Sequence, residues 1–335
     1  FMTAMNFTDV LWAYARSQEF RGGGLSDLSR ALFFDVTGRG LWPKISNLLY
    51  MIMPLLTMGL ISQEFSRGSI KLLFVAPITS RHIVLGKFLG MMMYGLLMFS
   101  VLLVYVILGG CWIESFDWAA VLTGLLGLYL LFGTYAAIGL FMSTLTTYPI
   151  VAAIYMLALL TFLRFVSGLW QEYTFVRDIT YWLSISGRSD ELINGLISSE
   201  DVFYFLIVIV LFLTLSILRL KAIRQKTPWK ISLGKYTAVV IVAVVIGYFS
   251  ARPSLKCFYD ATRTKQQTLT ENSQKILNMA AGGLTMTTYV NCLDEFNWTG
   301  EPGNRLYDQR QFEQYTRFKP EIKMQYVYFY DKSQN

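Results

Sequence analysis

The chain alternates long uncharged apolar stretches with short polar connections, a pattern typical of a protein that crosses a membrane several times. A membrane-spanning helix needs about 20 apolar residues to cross a hydrocarbon core about 30 Å thick. Six stretches reach or approach that length, and the fourth and sixth are expected to borrow flanking residues. They are residues 45–62, 88–110, 118–143, 149–163, 202–218 and 236–251. The pattern predicts a polytopic α-helical membrane protein.

The hinge, which we define as residues 63–87, is the polar connection between the first two predicted spans. A charged amphipathic segment between two spans is expected to meet something at the membrane surface. We expect residues 64–76 to form one short helix, with Gly68 allowing close approach and Pro77 ending the helix. The polar residues of the hinge include Glu64, Arg67, Lys71, Arg81 and the only histidine of the chain, His82.

The residues after 251 have a polar, globular composition. Thr268 or Thr270 is expected to cap a helix that runs to about Met279. Period-two alternation predicts strands at 284–291 and 321–330, and a second helix is predicted at 305–318 between them. A strand–helix–strand order implies parallel pairing in an α/β layer. We therefore expect an extracytoplasmic α/β domain, which two strands do not complete and which is expected to continue beyond Asn335.

A further amphipathic helix is predicted at 188–198, before the fifth span. Ser189 or Asp190 can cap it, and it is expected to lie flat on the outer membrane surface. The apolar stripe expected to face the spans consists of Leu192, Ile193, Leu196 and Ile197.

Composition and charge agree with a membrane protein and give it an orientation. Hydrophobic residues make up 54% of the 335 residues and charged residues 15%, and the mean hydropathy is +0.44. Cytoplasmic loops collect Lys and Arg, which places the hinge and the loop after the fifth span inside. That loop contains Arg219, Lys221, Arg224, Lys226, Lys230 and Lys235 without an acid. The net charge of +7 is therefore mostly a topology signal, and no nucleic-acid partner is expected.

This orientation divides the chain into five regions. Residues 1–44 form an extracytoplasmic segment, for which we expect a preceding span before Phe1. Five spans lie within 45–222, followed by a basic cytoplasmic linker at 223–235. The sixth span is 236–251, and the extracytoplasmic α/β domain is 252–335.

The motifs of several membrane enzymes are absent from the sequence. A single histidine excludes the H-E-x-x-H pattern of zinc proteases, and neither a G-x-S-x-G elbow nor a Walker A motif occurs. We predict no catalytic residue, no metal ligand set and no cofactor in this chain. A polytopic membrane enzyme is therefore the least favoured class of function.

Two smaller features leave alternatives open. Arg164 is expected near the outer rim of the fourth span, where a snorkelling arginine is favoured over a contact with a transported substrate. Cys257 and Cys292 both fall on the outer side and could form a disulfide in an oxidising compartment, although unpaired thiols are favoured.

Two groups of motifs carry a family resemblance. In and beside the hinge they are Glu64, Arg67-Gly68-Ser69, Leu72-Leu73, Pro77-Ile78-Thr79 and Leu85-Gly86-Lys87; further on they are Ala137-Ile138-Gly139-Leu140-Phe141 and Ser143-Thr144-Leu145-Thr146. These resemble the signature segments of ABC-2-type transporter permeases. The region 190–205 looks like the gliding-motility-associated subgroup of that family. The tail, with Asp260, Thr262 and 268–271, is similar to that subgroup's extracytoplasmic companion protein, as if the two were fused.

The resemblance implies a function and a set of partners. It implies the permease subunit of an exporter in the bacterial inner membrane, driven by a separate cytosolic ABC ATPase that carries the ATP and magnesium. It also implies a second permease in a homo- or heterodimer, contacts with membrane lipid, and other envelope proteins as further partners. The ATPase is expected to dock on the hinge. The residues assigned to this coupling are Glu64, Arg67, Gly68, Lys71, Leu72, Leu73, Phe74 and Pro77.

Two other interpretations of the same features remain open. The hinge could be an ordinary interfacial helix lying on lipid headgroups. The whole protein could instead be a mechanical relay, in which ATP hydrolysis inside drives shape change in the outer domain and acts on an envelope or motility machine without moving a substrate.

Overall fold

The computed structural model describes residues 28–34, 40–113, 116–166, 185–225, 228–250, 257–263, 265, 267–279, 284–293, 304–319 and 321–331. The chain divides into two units. Phe1–Leu160 and Ser189–Arg263 form the first, which we call the helical unit, and Thr161–Arg188 and Thr264–Asn335 form the second, which we call the tail unit.

Ten of the described helices precede residue 251. They are α1 Leu28–Phe33, α2 Leu41–Thr57, α3 Ser62–Ser66, α4 Ile70–Val75, α5 Ser80–Trp112, α6 Trp118–Leu145, α7 Pro149–Phe165, α8 Ile185–Ile193, α9 Ser199–Gln225 and α10 Trp229–Ser250. Two short strands, β1 Leu196–Ser198 and β2 Phe258–Asp260, pair antiparallel.

Five stretches in the described part of the chain are long and apolar enough to cross a membrane. They are Leu41–Ser66, which joins α2 to α3, and the helices α5, α6, α9 and α10. Five of the six predicted spans are thereby confirmed as candidate spans of a multi-pass membrane protein. The stretch predicted at 149–163 is also helical, but α7 has only 17 residues and is shorter than the other five.

Helix α6 is the centre of the helical unit, because 72% of its most apolar window is buried, compared with 11% for α10. Small residues allow its neighbours to come close. A Cβ at Gly139 would overlap the Oγ1 atom of Thr57 in α2 and would lie 2.8 Å from Sδ of Met156 in α7. Thr57 Oγ1 itself donates to the carbonyl of Met53 at 2.8 Å and lies 3.1 Å from that sulfur. Helices α2, α6 and α7 therefore meet at one tight point.

The end of the helical unit opposite the hinge is held together by polar contacts before α6 and α9. The Asp117 carboxylate caps α6 by accepting from the amide of Ala120 at 3.2 Å, and its other oxygen accepts from the amide of Arg263 at 2.8 Å. Ser199 and Cys257 exchange two hydrogen bonds of 3.0 Å. The segment that follows α10 is thereby tied to the beginnings of α6 and α9.

The helix predicted at 188–198 is wrong in its second half. Helix α8 ends at Ile193, and the next residues form β1, whose Leu196 pairs with Asp260. Leu192, Ile193 and Leu196 are buried, as expected for residues that face the spans, whereas Ile197 is half-buried. Residues 196–198 form a strand and not a helix because their pairing partner lies at least 60 residues later in the chain. Local periodicity cannot reveal such a partner.

The tail unit contains a two-stranded parallel sheet of β3 Thr285–Asn291 and β4 Lys323–Phe329. The parallel pairing predicted for 284–291 and 321–330 is therefore confirmed. Helix α11 Glu271–Met279 precedes the sheet, and its first turn is capped by Thr270, whose hydroxyl accepts from the amide of Ser273 at 3.4 Å. The helix predicted at 305–318 is divided at Phe312 into α12 Arg305–Gln311 and α13 Glu313–Phe318.

Helix α12 is joined to the sheet through an arginine and two tyrosines. The Arg305 guanidinium lies 4.9 Å from the ring centre of Tyr326 and 5.0 Å from that of Tyr328. Its Nε also donates to the Tyr328 hydroxyl at 2.6 Å, and the Tyr326 hydroxyl donates to Asp308 at 2.9 Å. Cation–π attraction and the hydrogen bonds hold this helix against one face of the sheet.

Candidate functional site

The hinge consists of α3, α4 and the first eight residues of α5. The prediction of one helix over 64–76 is wrong, because α3 ends at Ser66 and α4 begins at Ile70. Gly68 between them has φ +75°, a left-handed conformation that a residue with a Cβ adopts only with strain. A Cβ at Gly68 would have no atom of the described chain within 4 Å. Gly68 therefore acts as a helix breaker, and no closely packed neighbour in the described chain requires a glycine at this position.

The second helix of the hinge ends as expected at the proline. Ala76 has an extended backbone, with φ −59° and ψ 147°, which is the conformation favoured before a proline. Pro77 follows and is exposed, and α5 begins three residues later. The hydroxyl of Thr79 lies 3.0 Å from Nδ1 of His82 in the first turn of α5. Both residues are exposed.

The first anchor of the hinge is an ion pair between its two ends, Glu64 in α3 and Lys87 in α5. The Lys87 ammonium lies 2.6 Å from Glu64 Oε1, and the two side chains are 26% and 24% exposed. The same ammonium donates to the carbonyl of Leu60. One cation therefore neutralises the only acid of the hinge and also satisfies a backbone acceptor where the first span ends.

The second anchor is the buried hydroxyl of Ser143, near the end of α6. It accepts from the amides of Ile61 at 2.8 Å and Ser62 at 2.9 Å, and it donates to the carbonyl of Met58 at 3.0 Å. Buried backbone groups that leave a helix need such partners. The hydroxyl thus fixes the irregular turn between α2 and α3 against the central helix.

The third anchor comes from Arg224, in the last turn of α9. Its guanidinium donates to the carbonyl of Phe74 at 2.9 Å and to the carbonyl of Ile78 at 2.8 Å. It therefore bridges the last turn of α4 and the connection that leads into α5. The hinge is held at its beginning by α5 and α6 and at its end by α9.

Between these anchors the hinge presents a patch to its surroundings. Leu72 is 76% exposed and Val75 is 86% exposed. They lie three residues apart on one side of α4. The exposed Lys71 immediately precedes Leu72, and the exposed Arg67 lies at the C-cap of α3, on the other side of Gly68. Neither cation makes an ion pair with a residue that the structure describes. We call these four residues, Arg67, Lys71, Leu72 and Val75, the exposed patch.

The remaining apolar residues of the hinge do not contribute equally to this surface. Ile70 is buried, and Leu73 and Phe74 are half-buried. Phe74, one of the residues assigned to the coupling, offers its backbone carbonyl to Arg224. Val75, which the sequence also predicts as apolar docking surface, is the most exposed apolar residue of the hinge.

Arg164, the other predicted site residue, is exposed in the last turn of α7. The position agrees with an arginine at the end of a helix. The three cysteines, Cys111, Cys257 and Cys292, are free thiols in the structure. Among the described residues, no group of three or more His, Cys, Asp or Glu side chains is arranged to hold a metal ion.

Sequence reasoning missed two anchors of the hinge. The sequence presents Arg224 only as one basic residue of a predicted cytoplasmic loop, and nothing in the sequence relates it to carbonyl groups about 150 residues earlier. Ser143 does lie in a recognised motif. Hydroxyl side chains near the end of a long apolar helix, here Ser143 and Thr144, are the signal that could have suggested a buried backbone partner.

Comparison with models of protein families shows which family the chain belongs to. A family model described as ABC-2 family transporter protein matches residues 43–223, more than half of the chain. The match includes the whole hinge and ends one residue before Arg224. Neither the curated proteins nor the solved structures give a match.

Proposed function

The chain belongs to the ABC-2 transporter family, and we propose that it is the permease subunit of an ATP-binding-cassette exporter, driven by a separate ATPase that docks on the hinge. ATP and magnesium belong to that ATPase. The single observation that carries the docking assignment is the exposed patch, on a segment fixed at three points to the spans.

The composition of the patch suits a protein partner. Leu72 and Val75 supply apolar area that a partner can bury, and each fully buried side chain of this size contributes about 1.5–3 kcal/mol. Arg67 and Lys71 stand at its edge, where charges steer association and select an acidic partner. The three anchors reduce the freedom that the segment would otherwise lose on binding. A movement of the partner is then passed to the spans and is not absorbed by the hinge.

The orientation of the chain supports a cytosolic partner. The end of α9 contacts the hinge through Arg224, so both belong to the same side of the membrane. Both are rich in Lys and Arg, as cytoplasmic segments are. We therefore place the hinge in the cytoplasm of a bacterial cell and the segment after α10 outside the inner membrane.

The same contact supports α7 as a sixth crossing. Phe74 and Arg224 are separated by α5, α6, α7 and α9. If only three of these helices crossed, the two residues would lie on opposite sides of the bilayer. With α7 included, the number of crossings is even and the hydrogen bond is accounted for. A 17-residue helix of about 25 Å crosses with help from flanking residues.

We propose further that the permease belongs to the gliding-motility-associated subgroup and is fused to an extracytoplasmic α/β domain within 252–335. The parallel β3–β4 pair supports an α/β layer. A second permease and membrane lipid would cover the outward apolar face of α5. Residues that share this face at four-residue intervals are Leu89, Met93, Leu97 and Val101, each at least half exposed.

A second candidate function, a mechanical relay without a transported substrate, is favoured by one observation. The outer end of the helical unit is tied to the segment after α10 through Asp117 and Ser199, so a movement of the spans would be passed to that segment. Reconstituted vesicles distinguish the two functions. ATP hydrolysis by an exporter moves a substrate across the vesicle membrane, whereas ATP hydrolysis by a relay moves no substrate.

The docking assignment is tested with the complex of the full chain and its ABC ATPase, identified by mass spectrometry after copurification. Leu72→Asp combined with Val75→Asp should weaken ATPase binding about tenfold or more, because charge replaces the buried centre of the contact. Arg81→Glu is the matched control, since it also changes the net charge by two at an exposed position of the hinge. Unchanged binding and ATP turnover in the double variant would refute docking on the hinge.

A further inference from the structure

Arg224 satisfies two backbone acceptors that the fold leaves without their helical partners. The amide of Ile78 bonds to Ala76 at 2.7 Å, so it does not complete the helical bond to Phe74. Helix α5 begins only at Ser80, so the carbonyl of Ile78 also lies outside a helix. The guanidinium, a planar fork with several donors, reaches both carbonyls at once. Its position is therefore specific, beyond the general preference for basic residues in a cytoplasmic loop.

Helix α9 connects this point to the opposite end of the helical unit. It runs without interruption from Ser199 to Gln225, about 40 Å. At its first residue, the Ser199 amide donates to the carbonyl of Cys257 and the Ser199 hydroxyl accepts from the Cys257 amide, both at 3.0 Å. One helix is thus bonded to the hinge at one end and to the edge of β2 at the other.

We propose that Arg224 is a positioning residue that orients α4 and passes its movement into α9. The inference rests on the proposed docking of an ATPase on the hinge. The Lys87 and Ser143 anchors fix the beginning of the hinge to α5 and α6, and of the three anchors only Arg224 bonds the hinge directly to α9. Arg224 links the end of α4 to the helix that continues to Ser199. Through it, a displacement of the exposed patch moves the segment at 257–263.

The orienting role is tested by hydrogen–deuterium exchange of the purified full chain in lipid nanodiscs. Arg224→Met should speed exchange of peptides covering residues 70–79 about three- to tenfold, since two charge-assisted hydrogen bonds are lost. Arg224→Lys keeps the charge and provides one donor point, and it should give an intermediate rate. Lys221→Met is the matched control, because Lys221 is exposed on the same end of α9 and no hydrogen bond of its side chain is described. Equal rates in Arg224→Met and Lys221→Met would overturn the proposal.

The transmitting role is tested in the complex with the ATPase. Addition of Mg-ATP should change exchange at residues 257–263 in the wild type and in Lys221→Met, and the change should be smaller in Arg224→Met while ATPase binding persists. A change of the same size in Arg224→Met would overturn transmission through this residue. Failure of the docking assignment would be seen separately, as ATPase binding that is insensitive to Leu72→Asp with Val75→Asp. The exchange test on the chain alone does not depend on that result.

Discussion

The Lys87 ammonium lies 2.6 Å from Glu64 Oε1 and fastens the second span to the end of the first. About three-quarters of each side chain is withdrawn from solvent, so the pair is screened less than an exposed surface pair. Both residues belong to the group of motifs in and beside the hinge that carries the family resemblance. The structure gives a physical reason for their presence there, because they neutralise each other at the base of the hinge.

Removing the cation of this pair should weaken the fold. Lys87→Met leaves the Glu64 carboxylate without its counter-charge, and we expect a loss of about 1–2 kcal/mol in the free energy of unfolding, below the value for a fully buried pair because both side chains are partly exposed. Thermal unfolding in detergent measures it. Arg81→Met, which removes an exposed cation from the same helix, is the control, and equal melting temperatures in the two variants would contradict the prediction.

The close contact of Gly139 with Thr57 leads to a second prediction. Gly139→Ala should destabilise the helical unit by about 1–3 kcal/mol, because the added methyl group would overlap the Thr57 hydroxyl and force α2 away from α6. The midpoint of thermal unfolding reports the change. At Gly90 in α5, a Cβ would meet no atom of the described chain within 4 Å. Gly90→Ala should therefore have no such effect, and a similar loss in both variants would show that the overlap is not the cause.

The two oxygens of Asp117 allow a graded test at the opposite end of the helical unit. Asp117→Asn retains one side-chain acceptor and Asp117→Ala retains none, so the amides of Ala120 and Arg263 can be satisfied only in part or not at all. We expect a loss of about 1 kcal/mol for each hydrogen bond. Hydrogen exchange at residues 258–263 should rise from wild type to Asn to Ala. The same exchange rate in all three proteins would contradict the role of Asp117.

The crossing of α7 can be tested by labelling with a membrane-impermeant maleimide. In a background without the three native cysteines, Tyr148→Cys and Leu72→Cys should react only after lysis, because Tyr148 immediately precedes α7 and is exposed. Variants that restore Cys111 or Cys257 alone should react in intact cells. Labelling of Leu72→Cys in intact cells would reverse the orientation. If Cys257 and Leu72→Cys behave alike, the number of crossings is wrong.

The parts of the fold that the sequence predicted are those set by local composition. Apolar runs located five candidate spans, and period-two alternation located the parallel strands β3 and β4. The sequence does not reveal the break at Gly68, because a glycine there is equally compatible with a point of close approach, whereas its φ of +75° makes it a helix breaker. Strand β2 was missed because three residues carry too little periodicity.

The candidate site was predictable only in outline. Motif spacing selected the hinge, but it could not distinguish exposed Val75 from half-buried Phe74, because the anchoring of α4 by Arg224 decides which side faces outward. Such a contact joins a side chain to backbone carbonyls far away in the sequence. Every residue has a backbone carbonyl, so the residue pattern does not show which ones accept a hydrogen bond.

The length of α5 determines how far the exposed patch stands from the bilayer. The helix has 33 residues, about 50 Å, of which the charge-free part begins only at Phe88. Its first eight residues therefore extend about 12 Å beyond the charge-free, apolar part of the helix. Because Glu64 is bound to Lys87, the residue next to the apolar part of α5, the distance between this apolar part and the exposed patch is set by contacts within the protein. It should stay the same in thin and thick bilayers, so a partner can engage Leu72 without indenting the lipid surface.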